Sequence, residues 1–166
     1  ASIWAFRNHP ESFFEWIRSL SIQASTAAPN QAHLAIAELE NRGLVKAVIT
    51  QNIDSLHQEA GSKNVYELHG SARTATCPQC GSKHDQQYFR RIMLEQQGIP
   101  HCASCSEIIK PDIVLFGEEL PQEVWNGAYL ECLKADLMLV IGSSLEVSPA
   151  NSDRKSTRLN SSHQSV

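Results

Sequence analysis

The chain has 166 residues, 42% hydrophobic and 19% charged, with a net charge of −4 and a pI near 6.0. This is ordinary globular composition, which excludes a wholly disordered chain and fits one domain, or a domain with a small appendage. There is no run of 18 apolar residues, no basic-then-apolar leader and no basic surplus. These absences argue against a transmembrane helix, a signal peptide and a general nucleic-acid binder. A cytoplasmic chain with neither membrane nor nucleic acid as partner is expected.

In chain order, Pro10 and Glu11 open a predicted helix whose apolar positions are Phe13, Trp16, Ile17 and Leu20. Residues 21–28 are small and polar and predict a loop. A second helix is predicted over 30–42, with Ala32, Ala35, Ile36 and Leu39 on one face and Gly43 as its stop. Residues 44–49 form a short β-branched apolar run that predicts a buried parallel strand, and 65–68 predict a second. Residues 77–105 are a polar, cysteine-bearing insertion. A short strand is predicted over 113–116 and a helix over 122–134. The clearest buried strand is 137–141, followed at once by Gly142, Ser143 and Ser144. Helices alternating with buried strands predict an α/β fold with a mostly parallel sheet.

The cysteines form two pairs, Cys77-Pro-Gln-Cys80 and Cys102-Ala-Ser-Cys105, 21 residues apart. Each pair closes a tight turn that aims two thiolates at one point, and two such turns suit a tetrahedral zinc site. Disulfides or free thiols are the plainer alternative, without a secretion signal to support them. Four thiolates leave no open coordination position, so the zinc is expected to be structural and to hold together a module that has little core of its own. His84 and His101 lie near the cluster. Cys132, in the last predicted helix, reads as a small buried hydrophobe.

Ligands of open parallel sheets bind outside the carboxyl ends of the strands. Three polar clusters follow predicted strands: Gln51-Asn52-Ile53-Asp54, His69-Gly70 and Gly142-Ser143-Ser144. Singly, each also fits a plainer role, the first as a helix cap and the other two as turns. Gly-Ser-Ser additionally lets backbone amides approach a phosphate.

Together with the cysteine pairs, several longer stretches resemble the sirtuins, the NAD-dependent protein deacylases. They are Thr50-Gln-Asn-Ile-Asp-Ser-Leu-His-Gln-Glu-Ala-Gly61, Glu67-Leu-His-Gly70, Pro111-Asp-Ile-Val-Leu-Phe-Gly-Glu118 and Leu139-Val-Ile-Gly-Ser-Ser-Leu-Glu-Val147, in the family's order. The resemblance implies a Rossmann-like NAD domain with a small zinc module over about 72–110. It also implies attack of an acyl-lysine carbonyl oxygen on the nicotinamide ribose, with release of nicotinamide and O-acyl-ADP-ribose. His69 matches the general base, a role suited to imidazole near neutral pH. Gln51 and Asn52 match ribose-holding residues, and Ile53 and Asp54 match the nicotinamide carboxamide pocket. Gly142, Ser143 and Ser144 match the turn at the adenosine-phosphate half. Val114, Phe116, Gly117 and Glu118 match the strand beside which the acyl-lysine peptide lies, with Val114 and Phe116 in the acyl tunnel. Transfer of ADP-ribose, and a zinc-ribbon module that recruits a protein, are the alternative readings.

Three departures from the family pattern stand out. The family's Gly-Ala-Gly phosphate turn and its closing strands are not found in this sequence. Residues 1–150 are therefore expected to be a partial deacylase domain, an incomplete Rossmann-like sheet that binds NAD poorly or not at all. Residues 151–166 carry Arg154, Lys155 and Arg158 against Asp153 alone, with five serines, so that residues 1–150 have 11 basic and 17 acidic side chains, a net charge of −6. This tail resembles translated adaptor or read-through sequence and is expected to be disordered. Members that prefer acidic acyl groups carry Tyr-x-x-Arg where this chain has Ile17 and Leu20, which favours acetyl or longer neutral acyl groups. Arg18 lies beside that register.

Overall fold

The computed structural model describes residues 1–24 and 26–143. Ser144 and the whole 151–166 tail lie outside the described residues. The elements are α1 (Ile3–Asn8), α2 (Pro10–Ala24), α3 (Gln31–Asn41), β1 (Val48–Thr50), α4 (Leu56–Glu59), β2 (Val65–Glu67), β3 (Gly70–Thr76), β4 (Lys83–Asp85), α5 (Gln86–Arg90), a π-helical turn (Arg91–Glu95), β5 (Lys110–Ile113) and α6 (Gln122–Lys134). β1 and β2 pair in parallel, Val48 opposite Val65. A second sheet has the order β4-β3-β5 and is antiparallel throughout.

Local chemistry fixes several boundaries. Ser2 and Asn30 cap α1 and α3 through their side chains, and His33 completes a capping box with Asn30. Gly43 closes α3 at φ +72°, the left-handed stop expected there. The following amides of Leu44 and Val45 turn back to the Leu39 carbonyl. They are thereby withdrawn from any ladder, and β1 begins at Val48 rather than at residue 44.

Four other expectations are corrected. α2 continues to Ala24, so residues 21–24 are helical rather than loop. Its core face is Phe13, Phe14 and Ile17, whereas Trp16 and Leu20 are exposed. The strand expected at 113–116 is Lys110–Ile113, and it runs antiparallel to β3 instead of joining a parallel sheet. Residues 137–141 form no strand, and Leu137, Leu139, Val140 and Ile141 are exposed. An apolar run becomes a buried strand only when strands flank it, and among the described residues none pairs with this one.

The main core joins α1 and α2 to the cysteine insertion. Phe6, Phe13, Phe14 and Ile17 pack with Phe89, Met93, Ile109 and Ile113, and Cys77 and Cys102 line the same cluster. The Phe13 and Phe14 rings meet edge to face at 5.2 Å, a favoured aromatic geometry. Arg18 secures this contact by donating from Nε to the Met93 carbonyl at 2.8 Å and from Nη2 to that of Gln97 at 3.0 Å. A smaller core, Leu68 and Ala128 with Ile49, Tyr66 and Trp125, seats α6 on the parallel pair. No helix among the described residues is long and apolar enough to cross a membrane.

Candidate active site and metal centre

The four sulfurs of Cys77, Cys80, Cys102 and Cys105 lie within 4.8 Å of one another. Cys77 and Cys105 are 3.4 Å apart, and Cys80 and Cys102 are 3.6 Å apart. These distances are far beyond a disulfide bond and near the ~3.8 Å edge of a tetrahedron with Zn–S of about 2.3 Å. None of these four cysteines forms a disulfide. The amides of Cys80 and Ser104 point at the Cys77 and Cys102 sulfurs. The Ser104 amide leads in lowering the Cys102 thiol to about 5, against the opposing effect of burial. At Cys105 the Glu107 amide lowers the thiol, but the Cys77 sulfur and burial outweigh it and push the thiol up to about 12. Four thiolates so close together cannot all ionise without a cation, and a divalent metal supplies that charge. The donor set fits zinc in a closed, structural site.

The second constellation is built where β1 and β2 end. Leu68 donates its amide to the Thr50 carbonyl, and Ala72 donates to that of Ile53. Between these, His69 Nδ1 lies 3.0 Å from the Gln51 carbonyl oxygen. A carbonyl only accepts, so Nδ1 carries the proton and a neutral ring keeps its Nε2 lone pair for a proton from elsewhere. His69 and Gln51 are half-buried and Asn52 is exposed. The Asp54 carboxylate accepts from the Leu56 amide at 3.0 Å, so it caps α4 as the plainer reading of this cluster expects. Gly70 sits at φ +73°, and a Cβ there would run into the Asp112 carbonyl, so the residue after His69 must be glycine.

β5 leads into the third part. The Val114 amide donates to the His69 carbonyl at 2.8 Å, which ties the residues after β5 to the histidine. Leu115 is buried, while the neighbouring Phe116 is 76% exposed and bridged through its backbone to residues 1–3. Glu118 does not point outward: its carboxylate accepts from the Leu115 amide and pairs with Lys110. The structure thus ties Gln51 and Val114 to His69 and Ile53 to β3, with Asp54 bonded to Leu56. Gly142 (φ +67°) and Ser143 are exposed at the end of the described segment, and Ser144 lies beyond it.

Sequence reasoning missed Ser55 and Arg73. Ser55 is buried at φ +62°, a strained conformation for a non-glycine residue. Its hydroxyl donates to Glu67 and lies 3.2 Å from that of Ser71, and its carbonyl accepts from Arg73 Nη2. A serine after an aspartate carries no sequence signal for such a place; only the backbone angle reveals it.

A family model described as the Sir2 family matches residues 1–149. The chain belongs to the Sir2 family. This Sir2-family chain is 45% identical over 145 residues to an NAD-dependent protein deacetylase of Clostridium perfringens, covering 87% of the chain and 57% of that protein. It is 44% identical over 147 residues to an NAD-dependent protein deacylase of Pyrococcus furiosus, covering 88% of the chain and 59% of that protein. Among solved structures, Sir2Tm bound to a propionylated peptide superimposes with a TM-score of 0.87 at 42% identity, covering 93% of the chain and 65% of that structure. Sir2Af2 bound to a myristoylated histone peptide gives 0.84 at 44% identity, covering 94% and 66%. The chain therefore has the family's Rossmann-like α/β fold with a four-cysteine module, and it spans under two thirds of the length of these relatives.

Proposed function

We propose that this Sir2-family chain is the histidine-bearing part of an NAD-dependent protein lysine deacylase, with an acyl-lysine peptide and NAD as its reactants and zinc as its structural metal. The observation that carries the reading is His69, oriented through Nδ1 by the Gln51 carbonyl with its Nε2 left as a base, in a chain matched to the family over residues 1–149. NAD, when bound, would supply a ribose carbon from which the acyl carbonyl oxygen displaces nicotinamide as a free leaving group. His69 Nε2 takes the proton of a ribose hydroxyl, Gln51 and Asn52 hold the ribose, and Ile53 with Asp54 receives the carboxamide. The half-buried Gln51 amide and Asp54 carboxylate, with the exposed Asn52 amide, suit those polar groups. Gly142, Ser143 and Ser144 take the adenosine-phosphate half. The peptide lies along Val114, Phe116, Gly117 and Glu118 as an added strand.

Neutral acyl groups fit better than acidic ones. Ile17 is buried, Leu20 is apolar, and Arg18 is already committed to two carbonyls of the cysteine module. Four thiolates poised for zinc suit a reducing, intracellular compartment.

The 166 residues alone are expected to bind NAD weakly, since they match only 57% of a relative's length. The test is a chimera in which the segments missing from the match are supplied by the 45%-identical Thermotoga maritima deacetylase. It should release nicotinamide from NAD in the presence of an acetyl-lysine peptide, and His69→Ala should cut the rate by about 10²–10⁴-fold. A folded, zinc-loaded chimera without this reaction overturns the proposal.

A further inference from the structure

The turn after β5 is held by a charge pair whose lysine the proposed chemistry does not use. Lys110, the first residue of β5, folds its side chain back along the strand. Its Nζ donates to the Ile113 carbonyl at 2.7 Å and to that of Pro111 at 3.2 Å, and it pairs with Glu118 Oε2 at 2.9 Å. The two side chains are 16% and 26% exposed, so water competes little for them. They form part of one wall of a cleft of about 220 Å³ whose other walls include Ile3, Phe6 and Arg7 of α1.

The same Glu118 oxygen accepts from the Leu115 amide at 2.9 Å, and the Glu118 amide returns to the Leu115 carbonyl at 2.9 Å. A four-residue turn is thereby closed from both ends, with Gly117 at φ +92°. At its tip Phe116 projects into solvent beside buried Leu115. An exposed phenylalanine keeps a fixed direction only if its turn is stiff. The Phe116 backbone is tied to Ala1 and Ile3, and the Leu115 and Glu118 ends of the turn are held by one carboxylate oxygen shared between an amide and an ammonium group, both charge-assisted contacts.

We propose that Lys110 is a positioning residue for peptide binding: through Glu118 it sets the Leu115–Glu118 turn that presents the acyl-lysine edge. This rests on the functional reading above, which places the peptide along Val114–Glu118. Lys110 does not touch the peptide. Without its ammonium the Glu118 carboxylate gains by turning to water, the Leu115 amide loses its acceptor, and the turn loosens at Leu115 and Glu118 while the Phe116 backbone stays tied to residues 1–3.

The test is a thermodynamic cycle on the zinc-loaded chimera described above, read by fluorescence anisotropy with a labelled acetyl-lysine peptide. Lys110→Met and Glu118→Gln should each weaken binding about tenfold. The double variant should be no weaker than either single one, because both remove the same link. Zinc stoichiometry should stay unchanged in all three, and amide exchange at Leu115 should speed up in each. Unchanged affinity in Lys110→Met, or losses that add in the double variant, overturns the inference alone. Failure of the unaltered, zinc-loaded chimera to bind the peptide removes the functional reading and this inference together.

Discussion

His57 illustrates what a single side chain contributes beyond its place in a motif. Its ring lies 4.6 Å from that of His33, and its Nδ1 is buried without a hydrogen-bond partner among the described residues. Burial first, and the His33 charge second, hold its pKa below the ordinary 6.5, while Asp54 pulls the other way. A histidine whose folded pKa is depressed gives no pH dependence above 6.5, where both states are neutral. Below 6.5 the unfolded chain takes up the proton first, so stability falls as the pH drops toward the folded value. The thermal midpoint should therefore decline between pH 7 and pH 5, before the carboxylates titrate, and His57→Gln should flatten that slope. An unchanged slope in the variant would assign the decline to other groups.

At the scale of elements, the cysteine module depends on its metal more than on its own apolar content. β3 reads Gly-Ser-Ala-Arg-Thr-Ala-Thr, with no apolar alternation, and a bulge interrupts its pairing with β5. Removing zinc with a chelator should therefore unfold β3, β4 and β5 while leaving α3 and α6 helical. Cys102→Ser should take the bound zinc from one per chain to well under half and lose the same strand signal. Retention of the β signal without metal would show that the aromatic core of α1 and α2 suffices. This sheet was not legible in the sequence for the same reason: its strands are specified by ligands and by Phe13 and Phe14 from a distant helix, not by a local pattern. The bounds of α6, Gln122–Lys134, are legible although it has no side-chain cap and Tyr129, Leu130 and Leu133, its expected apolar positions, are exposed while Ala128 and Cys132 are buried; α3 is nearly as legible because its Asn30 cap is a local signal. Among the sites, the metal ligands could be placed by spacing alone. The tie from His69 to Gln51 could not, since it runs through a backbone carbonyl that no sequence displays.

The molecule as a whole carries apolar surface that its own described elements do not cover. Leu137, Leu139 and Ile141 are 68%, 65% and 63% exposed, and Tyr129, Leu130 and Leu133 of α6 are exposed as well. Among the described residues the parallel pairing is the short β1–β2 ladder and an isolated bridge between Ser2 and Phe116, whereas parallel sheets are ordinarily covered on both faces. A two-stranded ladder is marginal by itself and leans on α6 for its cover. The chain matches only 57% of a relative's length, and this strip lies at the far end of the match, where the sequence reads most strongly as buried strand. Contiguous apolar surface of this kind binds hydrophobic dyes and promotes association. The purified chain should therefore enhance anilinonaphthalene sulfonate fluorescence and sediment faster as its concentration rises. Leu139→Lys with Ile141→Lys should lower the dye signal severalfold and slow association, leaving zinc content and the α6 helix signal unchanged, because neither residue touches the cysteine cluster or either core. A dye signal insensitive to these changes would locate the exposed surface elsewhere, on Trp16, Leu20 and Ile22 of α2.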